Sequence, residues 1–340
     1  MGSFEGVITT GIYCLPPCPG RPRSENVITF TSAAGAEAAG FRACHRCRPY
    51  RGDRLPARAS ELVCRASDLI ATGALDDGNE AELAARLAVS ERHLRRMFHE
   101  QVGATPDQLA RSRRAHFARR LLDDTDLSVT DIAFAAGFGS LRQFNRVMVG
   151  TFRAAPLALR KRRRRADRLV ADGGLALRVP LPEGTDIDRR LAQLARAAIG
   201  GIESATATRY QRTVSMDGDP GVIEISSAAP DAVRLIVHLP HIEGLIHLVA
   251  QVQRLLAGQP WDRFEAVVRG IAADSTGVLH DLVTTYGAPV AGLRQFGLGY
   301  LFPTPTALAA ADLSGIGLDA VGAQAIRACA REARPRELAG

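Results

Sequence analysis

The chain has 340 residues, 46% hydrophobic and 23% charged, a balance that suits globular protein and leaves room for two or three cores. No apolar run approaches the roughly 18 residues of a membrane span, which argues against a helical membrane protein, and with no signal peptide ahead of the first cysteine a cytoplasmic protein is expected. Charge is uneven: residues 1–168 carry 28 Arg and Lys against 18 Asp and Glu, whereas residues 169–340 carry 15 against 18, so the first half is the one suited to a polyanion. Every basic residue except Lys161 is arginine, the side chain fitted to bidentate phosphate and guanine contacts.

Residues 1–52 contain Cys14, Cys18, Cys44 and Cys47, a C-x3-C and a C-x2-C pair. That spacing lets two short knuckles close one tetrahedral Zn2+ site. Pro16, Pro17, Pro19 and Pro22 surround the first pair and helical periodicity is weak, so a metal is expected to supply what burial cannot. Four thiolates around a divalent cation carry a formal charge of about −2, which leaves a sulfur strongly nucleophilic. A purely structural knuckle fits the same spacing. Cys64 and Cys329 lie in apolar-patterned segments and are expected to be small core residues.

Residues 57–160 read as successive helices. Apolar residues recur at three- and four-residue spacing in Leu83, Leu87, Leu94, Met97 and Phe98, and again in Ile132, Ala136, Leu141, Phe144, Met148 and Phe152. Ser90 and Ser128 mark helix starts, Gly103 and Gly137 stops. Two helix-turn-helix units fit residues 80–102 and 128–152. The second helix of each offers side chains that can read base edges: Glu91, Arg92, His93, Arg95 and Arg96 in the first, Ser140, Arg142, Gln143, Asn145 and Arg146 in the second. The basic run Arg160–Arg165 opens a segment, 161–172, that reads as a solvated linker or as a phosphate-contacting tail.

Beyond it, 175–179, 212–215, 222–225 and 233–239 read as strands, and 187–198 and 242–256 as helices. From Trp261 onward the pattern is helical, broken at Gly287 and at Pro303–Pro305. His238, His241 and His247 are expected to be ordinary surface histidines. The fold class is thus multidomain α+β: a small zinc-bound N-terminal domain (1–52), an all-α double helix-turn-helix domain (57–160), a basic linker (161–172), an α+β domain (173–256) and a partial helical C-terminal region (257–340).

The segment Ser128-Val-Thr-Asp-Ile-Ala-Phe-Ala-Ala-Gly-Phe-Gly-Ser-Leu-Arg-Gln-Phe-Asn-Arg, with Phe152, Pro156 and Leu159-Arg160, resembles the signature of AraC-type regulators. Leu83 to Phe98, with Gly103 and Pro106, resembles that family's first motif. Thr9-Thr-Gly-Ile-Tyr-Cys14, Cys18-Pro, Glu25-Asn-Val and Gly40-Phe-Arg-Ala-Cys44-His-Arg-Cys47-Arg-Pro49 resemble the zinc domain of the Ada family. The resemblance implies that Cys14 takes a methyl group from a methylated DNA phosphate, and that Cys18, Cys44 and Cys47 hold zinc with it. It further implies Thr9, Thr10, Arg42, His45, Arg46 and Arg48 as DNA and phosphate contacts. Double-stranded DNA, both alkylated and promoter, and RNA polymerase would be the partners. The family's arginines before the Thr-Thr pair and after the first cysteine are replaced by Ile8 and Leu15.

Leu177-Arg-Val-Pro, Tyr210-Gln-Arg-Thr-Val, Trp261-Asp-Arg-Phe-Glu-Ala-Val-Val-Arg-Gly-Ile and Phe302 to Leu313 resemble pieces of the AlkA family of alkylbase glycosylases. That family flips a damaged base into a pocket and uses an aspartate placed after a helix-hairpin-helix. Leu313-Ser-Gly-Ile-Gly resembles a hairpin fragment, but the last aspartate of the chain is Asp319. The 173–256 domain is therefore expected to be AlkA-N-like, the 257–340 region to lack the catalytic hairpin, and base excision to be absent. The expected function is that of a single-turnover methyl acceptor doubling as an activator. The alternatives are an AraC-type regulator with purely structural zinc and a 3-methyladenine glycosylase.

Overall fold

The computed structural model describes residues 3–16, 18, 20, 22–51, 59–164, 167–169, 173–181, 184–229, 231–273, 275–293 and 296–333. Pro17, Pro19, the 52–58 boundary, Arg165 and linker positions 170–172 lie outside the described residues. The chain forms two compact units, one of Met1–Leu169 with Ile242–Ala250, the other of Val170–His241 with Gln251–Gly340.

In the first unit, β1 (Phe4–Val7), β2 (Ile12–Cys14), β3 (Val27–Phe30) and β4 (Arg42–Ala43) form a sheet of order β3-β1-β2-β4. Helix α1 (Ala33–Ala38) begins at Ser32, whose Oγ accepts from the Gly35 amide. The sheet is too small to bury much, and Phe4, Tyr13 and Ala43 supply its core.

Seven helices follow: α2 (Glu61–Ala71), α3 (Glu80–Arg86), α4 (Glu91–Gln101), α5 (Pro106–Asp124), α6 (Val129–Ala135), α7 (Leu141–Phe152) and α8 (Pro156–Lys161). Their starts are written in side chains that satisfy otherwise unpaired first-turn amides. Ser90 Oγ accepts from His93 N, Ser128 Oγ from Asp131 N and Ser140 Oγ from Gln143 N. Thr105 and Gln108 form a reciprocal capping box ahead of Pro106. Gly103 and Gly137, expected as stops, have φ of +75°, backbone that a side chain would strain. Leu83, Leu94 and Phe98 pack the first helix pair, and Ile132, Phe138, Phe144, Met148 and Phe152 the second, all at 2% exposure or less.

Helix α5 runs between the two pairs and is the element that no apolar periodicity announces. Arg114, His116, Arg119, Arg120, Asp123 and Asp124 on it are all buried. Such side chains are tolerated inside only when paired. The sheet module supplies part of the pairing: Tyr50 Oη donates to Asp123 at 2.9 Å and Arg51 donates to Asp124 at 3.0 Å, while Arg114 bonds to Asp76 and Arg119 to Asp123. Tyr13 Oη donates to Glu37 at 2.7 Å, and His116 Nε2 lies 2.6 Å from the same carboxylate oxygen.

Two expectations are corrected here. Cys64 is exposed, because α2 turns Val63, Ala66 and Ile70 inward and leaves position 64 on its wet face. The segment after α8 is not simply solvated, since the first unit runs on to Leu169, whose amide donates to the Asp124 carbonyl. There Arg163 donates to the Thr125 carbonyl at 3.0 Å and pairs with Asp126 at 2.7 Å, while Asp167 is buried against Arg48.

The second unit is an antiparallel sheet of order β5-β9-β8-β7-β6, built from β5 (Leu175–Pro180), β6 (Glu203–Ala205), β7 (Arg209–Met216), β8 (Asp219–Ala229) and β9 (Ala232–His238). With it go α9 (Ile187–Arg196), α11 (Arg263–Ile271), α12 (Thr276–Tyr286), α13 (Pro305–Ala309) and α14 (Ala320–Glu332); α10 (Leu245–Leu256) begins after Gly244, three residues later than expected, because Gly244 has φ of +67°. Buried Arg212 bonds to Glu203 and Glu265 and stacks 4.9 Å from the Trp261 ring, an ion group closed by Arg269 and Tyr210. No helix among the described residues is long and apolar enough to cross a membrane.

Candidate zinc and nucleic-acid site

Parallel pairing of β2 with β4 brings the two cysteine knuckles together. Tyr13 lies opposite Ala43, and the Cys44 amide donates to the Tyr13 carbonyl at 3.0 Å, so Cys14 and Cys44 leave adjacent strands side by side. The Sγ atoms of Cys14, Cys18, Cys44 and Cys47 all lie within 4.8 Å of one another. Zinc–sulfur bonds of about 2.3 Å in a tetrahedron require sulfurs about 3.8 Å apart. The donor set is four thiols, the set that a structural zinc takes, and among the described residues it is the one group of His, Cys, Asp and Glu placed to hold a metal ion.

The electrostatics also ask for a cation. By themselves four crowded thiols cannot all ionise, because each new thiolate is repelled by the last. Hydrogen bonds from Cys14 above all, together with the Leu15 amide, Cys44 and Cys18, bring Cys47 down to about 5 against the opposing effect of burial. Cys14 is pushed far up, first by its hydrogen bond to Cys47, then by burial and by the charges of Cys47 and Cys44. A dication at the centre removes that conflict. The Arg46 amide donates to Cys44 Sγ at 3.4 Å, the backbone-to-sulfur contact of a metal knuckle.

The expected phosphate contacts divide. Thr9 and Thr10 are exposed on the β1–β2 turn, Arg46 is exposed, and Arg42 and His45 are half-buried. Arg42 donates to its neighbouring Ala43 carbonyl. Arg48 is corrected: it is 8% exposed, donates to Asp167 at 2.7 Å and lies 3.9 Å from Asp123. A guanidinium so enclosed is engaged between the sheet module, Asp167 and α5. Ile8, by contrast, is 53% exposed beside Thr9.

The second helix of each pair presents its expected residues on one face. On α4, Arg92, Arg95 and Arg96 are exposed, with Glu91 and His93 half-buried. Arg95 is bonded to Glu80 and pairs with Glu91 at 3.0 Å, and Arg96 Nη2 lies 3.2 Å from His93 Nδ1. On α7, Arg142, Asn145 and Arg146 are exposed, Gln143 is half-buried, and the Ser140 hydroxyl is engaged as the cap. Sequence reasoning missed the ion group of Arg48, Tyr50, Arg51, Arg119, Asp123, Asp124 and Asp167. The signal for it was a 19-residue helix without an apolar stripe.

A four-thiol group placed to hold a metal and two pairs of helices of helix-turn-helix form lie in one compact unit. Family matches agree: the metal binding domain of Ada matches residues 3–50, a helix-turn-helix domain of the AraC type residues 83–162 and the AlkA N-terminal domain residues 175–258. The chain therefore combines an Ada-type zinc domain, an AraC-type helix-turn-helix domain and an AlkA N-terminal domain.

The "Probable bifunctional transcriptional activator/DNA repair enzyme AlkA" of Mycobacterium tuberculosis (strain CDC 1551 / Oshkosh) is 38% identical over 79% of this chain and 54% of its own length. The "Bifunctional transcriptional activator/DNA repair enzyme AdaA" of Bacillus subtilis is 32% identical over 42% of this chain and 66% of its own. The "Bifunctional transcriptional activator/DNA repair enzyme Ada" of Escherichia coli is 36% identical over 39% and 36% respectively. The chain spans about half the length of the mycobacterial relative.

Proposed function

We propose that this chain is a DNA-alkylation-responsive transcriptional regulator. Residues 1–52 form the methyl-accepting zinc domain, 57–160 the promoter-reading domain, and 173–256 with 257–340 a glycosylase-like region. In the acceptor step the Cys14 Sγ lone pair forms an S–CH3 bond while the O–CH3 bond of a methyl phosphotriester breaks. The electrons of that bond leave on oxygen as an ordinary phosphodiester anion, so the step needs no further reactant. Cys14, Cys18, Cys44 and Cys47 would hold a zinc ion, which would supply the positive charge that keeps the Cys14 sulfur ionised at neutral pH. The thioether is not released, so the reaction runs once per molecule.

Cys14 stands at the end of β2, half-buried. Thr9, Thr10, Arg42, His45 and Arg46 are the groups this reading assigns to the DNA backbone around it. Methylation lowers the cluster charge from about −2 to −1, repulsion from DNA phosphates falls, and binding tightens. Helices α4 and α7 then read the promoter, and recruitment of RNA polymerase completes the signal.

The observation that carries this reading is the four-sulfur cluster built into the same compact unit as both helix pairs. Its test is the affinity of zinc-loaded protein for operator DNA before and after exposure to methylated DNA, in the natural chain and in Cys14→Ser. Tightening in the first and none in the second is expected. Equal affinities in all four states would leave zinc a purely structural role.

A further inference from the structure

The cluster, negative when it holds zinc, has to approach a polyanion, and two of the expected arginines around it are replaced by Ile8 and Leu15. A cation from elsewhere in the chain reaches the second knuckle. Arg162, one residue past α8, donates from Nη1 to His45 Nε2 at 3.3 Å, across 117 residues of sequence. His45 lies between Cys44 and Cys47, on the turn from which the Arg46 amide donates to Cys44 Sγ.

Among the other described arginines of the basic run, Arg160 donates to the Leu127 carbonyl and Arg163 pairs with Asp126, while the exposed Arg164 is tied to Asp167 through its backbone amide and not its guanidinium. Arg162 is exposed, and among the described residues no carboxylate pairs with it. A guanidinium held by an imidazole keeps its full charge, and four of its five N–H donors remain for an anion. A guanidinium has no acceptor, so His45 Nε2 is the acceptor in this contact and aims Arg162.

We propose that Arg162 is a phosphate-binding residue of the zinc knuckle, contributed by the segment behind the second helix-turn-helix unit, and that with Arg42 and Arg46 it grips a DNA phosphodiester beside the cysteine cluster. The phosphate site is then composite, drawn from the knuckle and from the segment behind α8. The inference rests on the methyl-acceptor reading for its consequence but not for its geometry. As a positioning residue Arg162 does not touch the reacting atoms; it fixes the backbone from which the methyl is taken.

The test uses the zinc-loaded full chain and its Arg162→Ala and Arg162→Lys variants, with unmethylated duplex DNA for salt-dependent affinity and methylphosphotriester DNA for methyl uptake. Arg162→Ala is expected to flatten the log–log salt slope by about 0.9, the value of one lost phosphate contact, and to slow methyl uptake about tenfold, with Arg162→Lys recovering most of the slope. Zinc content and thermal midpoint should not move, since the side chain is exposed. An unchanged salt slope in Arg162→Ala overturns the inference. If the natural chain takes up no methyl but the slope still falls in the variant, the acceptor reading fails and the phosphate site stands.

Discussion

Residues 3–51 hold their functional atoms with four thiols on two loops and a sheet of very short strands, whereas residues 61–161 hold theirs with capped helices around buried Leu83, Leu94, Phe98, Phe144 and Met148. The first arrangement has almost no core and depends on an ion; the second is sustained by apolar burial. The join between them is neither metal nor apolar. It is the buried ion group in which Arg48, Tyr50 and Arg51 meet Asp123, Asp124 and Asp167. Arg48, the residue next to Cys47, is part of that join.

The difference predicts where damage spreads. Removing zinc with a chelator, or replacing Cys44 by Ala, should have the largest effect, because a structural zinc contributes about 10–16 kcal/mol of apparent folding free energy. Amide exchange should show β1–β4 losing protection while α3, α4, α6 and α7 keep theirs. Asp123→Ala should come next. Asp123 is fully buried, and its loss strands Arg119 and the Tyr50 hydroxyl, a cost of about 3–5 kcal/mol. Urea unfolding should show the loss in both modules, unlike the metal effect.

Arg142→Ala or Arg146→Ala should leave stability alone and cost about 1–3 kcal/mol of operator binding each, read by titration at fixed salt. Arg95→Ala should cost less, since Arg95 is already engaged by Glu80 and Glu91. The smallest effect is acid sensitivity of the join. Burial raises Asp167, but the Arg48 hydrogen bond and the Arg164 amide outweigh it and hold the carboxyl below its ordinary value of 3.8. Its contribution is complete above 3.8 and disappears as pH falls through the lowered value, so docking of the sheet module should loosen only below about pH 4, followed by Tyr50 fluorescence.

The helix pairs were legible because caps and apolar spacing are local: Ser90, Ser128, Gly103 and Gly137 perform in the structure the punctuation their chemistry implies. The cysteines were legible because metal spacing is a short-range pattern. Helix α5 was not, since the partners of its buried His116, Asp123 and Asp124 lie about 70 to 100 residues away, and no short window of sequence contains both halves of such a pair. The same reason misplaced Arg48, which looks like any knuckle arginine until Asp167 is found beside it. Cys64 was misread because a helix with apolar neighbours on one side still has another side.

The central claim is that Cys14 receives a methyl group. Zinc-loaded protein incubated with methylphosphotriester DNA and mapped by peptide mass spectrometry reads this directly. The account predicts one added methyl, of about 14 Da, on the peptide carrying Cys14, and none on those carrying Cys18, Cys44 or Cys47. An unmodified Cys14 in protein that still holds zinc and still binds the DNA would contradict it.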